Sequence, residues 1–214
     1  MNFLSVISDA GDGAVLLPLA LLLVAALWRY HSRAAATTLI AAIVACGAIM
    51  IVLKATLIAC GQTWNAGVIS PSGHAGMSTT VYGALGIIAA RQAPRWQQPG
   101  IVLASWLFVA AIALSRVILG AHSYAEVGLG LLVGFAALCL FAIPYFRRHK
   151  APLNFAPLVA LSLTTVVILH GIHLPVERLL NRIALFGRSA TGVCLDKGNP
   201  DPRGGRYAAG TGDS

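Results

Sequence analysis

The stretch AAATTLIAAIVACGAIMIVL, Ala34 to Leu53, is 20 residues long, carries no charge, and is followed at once by Lys54. At the helical rise per residue, a run of this length matches the hydrocarbon thickness of a bilayer, so it reads as a membrane-spanning helix. Similar runs lie on either side. Ala14 to Trp28 precedes it, and His74 to Ala90, Gly100 to Ser115, Val127 to Ile143 and Pro152 to Leu169 follow, six in all. Over the whole chain 57% of the 214 residues are hydrophobic and only 10% are charged, far from the balance of a water-soluble domain. The expectation is an all-α fold: a polytopic membrane helical bundle of six transmembrane helices, forming one integral membrane domain over residues 1–186.

The last part of that domain, 175–186, changes character. Val176, Leu179, Leu180, Ile183 and Phe186 recur at helical spacing, with Glu177, Arg178, Asn181 and Arg182 largely opposite, the pattern of an interfacial amphipathic helix. Residues 187–214 are rich in Gly, Pro and charge and read as a disordered tail. At the other terminus, Met1 to Gly13 carries Asp9 and Asp12 but no Lys or Arg, the wrong charge for the start of a cleavable signal peptide, so this segment is expected to be retained. Cys46, Cys60, Cys139 and Cys194 form no Cys-x-x-Cys pair, and three of them lie in or beside apolar runs, where cysteine serves as a small buried hydrophobe.

The formal net charge of +8 does not mark a nucleic-acid partner, because the basic residues form no stripe with interleaved aromatics. They sit in loops. With six spans, the loops after the first, third and fifth share one side and hold Arg29, Arg33, Arg91, Arg95, Arg147, Arg148 and Lys150, with no Asp or Glu. That bias makes this side cytoplasmic. His31 reads as a solvated residue of the first such loop, and His170 and His173, lacking a third ligand, read as interfacial residues rather than a metal site.

Lys54, Ser72, Gly73, His74, Arg116, His122 and Glu126 all fall at ends of runs on the other side. Their chemistry is that of a phosphate site. His122 and Glu126 are four apart, so on a helix starting near His122 the carboxylate can hold one ring nitrogen and direct the other outward. Arg116 presents a planar fork of donors to phosphoryl oxygens, and a Pro71-Ser72-Gly73-His74 turn opening a helix aims backbone N–H groups at the same anion. His74 supplies a second ring, placed to protonate what leaves.

Pro71-Ser72-Gly73-His74, together with Ser115-Arg116, His122 and Glu126, resembles the signature of the type 2 phosphatidic acid phosphatase superfamily: Lys-x6-Arg-Pro, Pro-Ser-Gly-His and Ser-Arg-x5-His-x3-Asp. The second motif is intact. The third departs only at Glu126, and the first is represented by Lys54, with Gly61 and Gln62 where the family has Arg-Pro. The resemblance implies a metal-independent phosphatase without cofactor, embedded in the lipid bilayer and acting on a lipid phosphate or polyprenyl diphosphate through a phosphohistidine. It assigns His122, His74 and Glu126 to catalysis and Lys54, Ser72, Gly73 and Arg116 to phosphate binding. With the loop charges, it implies a multi-pass protein of the cell (inner) membrane whose active site faces the periplasm or exterior. Three rivals share some of these features: a lipid-phosphate-binding or transport protein that has lost turnover, a vanadate-dependent haloperoxidase, and a six-helix channel. Six lipid-embedded spans oppose the second, and polar residues gathered at helix ends oppose the third. Oligomeric state is not encoded in these motifs.

Overall fold

The computed structural model describes residues 3–60 and 70–147, with the isolated positions 164 and 168. Among the described residues every regular element is helical: α1 Phe3–Asp9, α2 Gly13–Tyr30, α3 Arg33–Cys60, α4 Gly73–Gln92, α5 Gln98–Ile118 and α6 Tyr124–Phe146. Four of them, α2, α3, α5 and α6, are long and apolar enough to cross a membrane. They coincide with the first, second, fourth and fifth apolar runs, and the protein is an all-helical, multi-pass membrane bundle. The sixth run, 152–169, lies outside the described residues apart from positions 164 and 168, and so do the amphipathic segment 175–186 and the tail 187–214.

The third run is a helix of another kind. In α4 most of the buried residues are small or hydroxylated, Ala75, Gly76, Ser78, Thr79, Thr80, Gly83, Ala84 and Gly86, beside the larger Val81, Tyr82 and Ile88. The helix packs chiefly against α6 and α5 and sits at the centre of the bundle, so it needs close approach rather than an oily exterior. Its two threonines bond back within the helix, Thr79 Oγ1 donating to the Ala75 carbonyl at 2.7 Å and Thr80 Oγ1 to the Gly76 carbonyl at 3.1 Å, while Ser78 Oγ is buried with no hydrogen-bond partner among the described residues. Lipid contact is left to the outer helices, whose Leu21, Val44, Val52, Leu103, Leu107, Leu132 and Leu140 are exposed.

Close approach is most evident between α4 and α6. A Cβ at Gly130 would collide with the Ser72 carbonyl oxygen, and one at Gly134 with the Gly76 carbonyl oxygen. Backbone therefore meets backbone along this seam, which Thr80 Oγ1 also crosses to the Gly134 carbonyl at 3.3 Å.

The helices alternate in direction, which separates the two ends of the bundle. At one end Arg91 Nη1 donates to the Tyr145 carbonyl at 2.8 Å, and its guanidinium lies over the rings of Tyr145 and Phe146. His31 joins the same cluster, its ring 5.3 Å from that of Tyr145 with Nδ1 buried. It is partly buried and packed against an aromatic ring instead of standing free in a loop, because the ends of α2, α4 and α6 meet here. At the opposite end lie the start of α2, the end of α3, the start of α4, the end of α5 and the start of α6.

Candidate active site

The turn that opens α4 is fixed at both of its sides. Ser72 is the N-cap, its hydroxyl accepting from Ala75 N at 3.4 Å, and it is fully buried. Its own N–H donates to the Glu126 carbonyl at 3.0 Å, while Ser70 N donates to Glu126 Oε1 at 2.9 Å. The Pro-Ser-Gly-His turn is thus bound directly to the residue that orients the second histidine, although the two are far apart in the chain.

His122 does not lie on a helix with Glu126, as their spacing predicts. Helix α6 begins at Tyr124, Ser123 is its N-cap, and His122 sits just before the cap. The carboxylate reaches it by another route. Glu126 occupies the third helical position of a capping box, in which Glu126 N donates to Ser123 Oγ at 3.3 Å and Ser123 N donates to Glu126 Oε2 at 3.0 Å. The same Oε2 lies 3.2 Å from His122 Nδ1. With Nδ1–H as the donor, the ring's lone pair is on Nε2. His122 comes to this place because Gly120, at φ 68°, reverses the chain after α5, and both Ala121 N and His122 N donate back to the Arg116 carbonyl at 3.0 and 3.2 Å.

Arg116 is in the last turn of α5. Its Nη1 donates to Ser8 Oγ at 2.9 Å, and its Nε is buried with no hydrogen-bond partner among the described residues. That guanidinium therefore keeps donor capacity at this end of the bundle. Lys54, in α3, is 5% exposed, and its Nζ lies 3.9 Å from where a Cβ on Gly73 would stand. It is not snorkelling to water; its ammonium lies beside the N-terminus of α4, where amide donors also point. Gly61 and Gln62 lie outside the described residues.

His74 has a partner that no motif indicates. Its Nε2 lies 3.7 Å from Asp12 Oδ2. Ser8, Asp9 and Asp12 are all buried, carried by α1 and the turn that follows it. A sequence sign of this was available, since an Asp immediately before an apolar run is an N-cap signal, and Asp12 does cap α2 by accepting from Ala14 N at 2.9 Å. All seven predicted site residues thus gather at one end of the bundle, joined by Ser8 and Asp12. Among the described residues no three His, Cys, Asp or Glu side chains are placed to share a metal ion.

Residues 54–150, which hold every predicted site residue, match the family model of the PAP2 superfamily. Over this stretch, a little under half of the chain, it is similar to the PAP2 superfamily. That similarity supports a phosphatase-type function in a membrane setting. The chain is also 28% identical over 195 residues to an uncharacterized 22.5 kDa protein in the cps region of Klebsiella pneumoniae, covering 86% of this chain and 90% of that one. No solved structure matches the chain.

Proposed function

We propose that the protein is a membrane phosphatase that hydrolyses a lipid phosphate or polyprenyl diphosphate through a phosphohistidine at His122. The observation that carries this reading is the clamp around Glu126. One carboxylate holds His122 by Nδ1 and, through Ser70 N, the turn that bears Ser72, Gly73 and His74. Nucleophile and anion cradle are therefore placed relative to each other by one residue.

In this reading the phosphoryl oxygens are met by Arg116, Lys54, the Ser72 hydroxyl and amides near Gly73, since charge neutralisation is the main demand of phosphoryl transfer. His122 Nε2 attacks phosphorus and forms the N–P bond as the P–O bond to the leaving group breaks. The imidazolium of His74 gives its proton to the departing oxygen. Glu126 stabilises the charge that develops on the His122 ring. Neutral His74 then takes a proton from water, which attacks phosphorus, breaks the N–P bond and frees phosphate and His122. A histidine nucleophile in a cationic cradle has no step that calls for a metal.

The side of the membrane follows from the loop charges. Arg29, Arg33, Arg91, Arg95 and Arg147 lie at the opposite end of the bundle and support a cytoplasmic orientation of that end, in keeping with a site at the periplasmic or outer surface that a lipid headgroup enters laterally. The test is phosphate release in detergent, with a chelator present, from phosphatidic acid, phosphatidylglycerophosphate, a polyprenyl diphosphate and a lipid A phosphate. Release from at least one of these, abolished in His122→Ala, is expected. Binding without release from all four would favour a binding protein of the same fold, and activity that survives in His122→Ala would remove the phosphohistidine.

A further inference from the structure

We propose that Asp12 is a positioning residue for His74, so that the chain leading into α2 completes the acid half of the site; this rests on the phosphatase reading above. The carboxylate uses its two oxygens differently. Oδ1 accepts from Ala14 N at 2.9 Å and caps α2, while Oδ2 faces His74 Nε2 at 3.7 Å. Asp12 is only 7% exposed, so little water weakens the attraction.

The segment is held in place by contacts that capping does not require. Tyr82 Oη donates to the Ala10 carbonyl at 2.7 Å, and Arg116 Nη1 donates to Ser8 Oγ at 2.9 Å. Gly11 is so tightly enclosed that a Cβ there would stand 2.7 Å from Ile112 Cγ2 and 3.3 Å from His74 Cδ2.

Charge explains why a carboxylate belongs here. Within residues 1–147 the acids are Asp9, Asp12 and Glu126, and the cations outside the opposite-end loops are Lys54 and Arg116. The charged and titratable groups at this end of the bundle are Asp9 and Asp12 from the N-terminal segment, Lys54 from α3, Arg116 from α5, and His122 with Glu126 from the start of α6, and of these Asp12 lies beside His74. A phosphate ester adds negative charge to a site with two permanent cations. The third positive charge is the imidazolium of His74, and a carboxylate within about 4–6 Å favours that charged form. With Asp12 Oδ2 facing Nε2 as an ion-pair partner, the proton that passes to the leaving oxygen is assigned to Nδ1.

The full-length protein in detergent tests this with two substrates that differ in their need for an acid. An alkyl lipid phosphate leaves as an alcohol and needs a proton; p-nitrophenyl phosphate leaves as a stable phenolate and does not. Asp12→Asn keeps an N-cap without the charge, and Asp12→Ser caps without reaching the ring and guards against a folding defect in the first variant. On the lipid phosphate, kcat/KM is expected to fall about 10- to 100-fold in both, part of what a positioned acid contributes, against less than about threefold on p-nitrophenyl phosphate. In a His74→Asn background, Asp12→Asn should cause no further loss. Equal losses on both substrates, additive losses with His74→Asn, or wild-type rates would overturn the role, and so would a faster enzyme, which would make the segment a plug. If the wild type is active and His122→Ala is not, a flat Asp12 result removes Asp12 alone; if the wild type releases no phosphate, both readings fall.

Discussion

Replacing Glu126 with Gln tests how much of the site depends on one carboxylate. Glu126 accepts from Ser70 N at 2.9 Å through Oε1, and from Ser123 N at 3.0 Å and His122 Nδ1 at 3.2 Å through Oε2, while 8% exposed. A Gln side chain keeps only one acceptor oxygen, so at least one donor then faces an amide NH2. A buried donor left unpaired costs about 1–3 kcal/mol, and hydrogen bonds that lose their charged partner weaken as well, so the fold should lose about 2–4 kcal/mol. The chemical effect is larger. If the NH2 turns toward His122, it donates to Nδ1, moves the ring proton to Nε2 and removes the lone pair that attacks; the analogous change in a Ser-His-Asp triad lowers turnover by about 10⁴. Phosphate release should therefore fall about 10²–10⁴-fold, well beyond what the stability loss explains in a protein that remains folded at assay temperature. Glu126→Asp keeps the charge but shortens the reach, and should retain more activity than Glu126→Gln. The assay is kcat/KM for phosphate release from the best lipid substrate, beside thermal unfolding in the same detergent. A Glu126→Gln enzyme within about threefold of wild type would refute the proposed role of the clamp.

Three further substitutions separate the site from its supports. Ser8→Ala removes the acceptor at 2.9 Å from Arg116 Nη1, and should raise KM several-fold with little change in thermal stability, as measured by initial rates over a range of substrate concentration. Gly134→Val drives a side chain into the Gly76 carbonyl, and should destabilise the bundle by about 2–4 kcal/mol and reduce activity with it, seen as a lower unfolding midpoint in detergent. Arg91→Ala removes the 2.8 Å hydrogen bond to the Tyr145 carbonyl at the far end of the bundle, and should cost about 1–2 kcal/mol of stability while kcat/KM stays within about twofold of wild type.

The helical layout was legible because lipid imposes it: a chain segment that crosses hydrocarbon must satisfy its own backbone, and long apolar runs are the visible result. The limit of that signal is α4. Its lining of Ser78, Thr79, Thr80 and Gly86 lowers its hydropathy because the helix faces protein on most sides, so the most central helix carries the weakest apolar signal. The site was legible to the extent that it is local. Ser72 as a cap follows from Ser-Gly at a helix start, and the partnership of His122 with Glu126 follows from their spacing, though spacing alone suggests a helical i, i+4 pair where the chain builds a capping box. In the capping box the longer Glu serves the arrangement: from the third helical position it spans back to Ser123 N and His122 while also reaching Ser70 N.

What sequence patterns did not expose is the contribution of Ser8 and Asp12, because it depends on α1 folding back against α5, a contact between segments distant in the chain. Charge offers the physical clue. A chain that carries only seven Asp and Glu in 214 residues has little reason to put two of them in its first 12 unless something nearby compensates them. Burying a carboxylate without a partner costs several kcal/mol, and the partners of Asp12 include the α2 amide at Ala14 and the His74 ring. The same reasoning applies to the whole end of the bundle. Asp9, Asp12 and Glu126 are buried at the end of the bundle that carries Lys54, Arg116, His74 and His122, and two of these acids have a base beside them, Asp12 with His74 at 3.7 Å and Glu126 with His122 at 3.2 Å. Moving the Asp12 carboxylate out of this set should therefore disturb His74 before it disturbs the bundle, which is the order in which activity and stability should be lost.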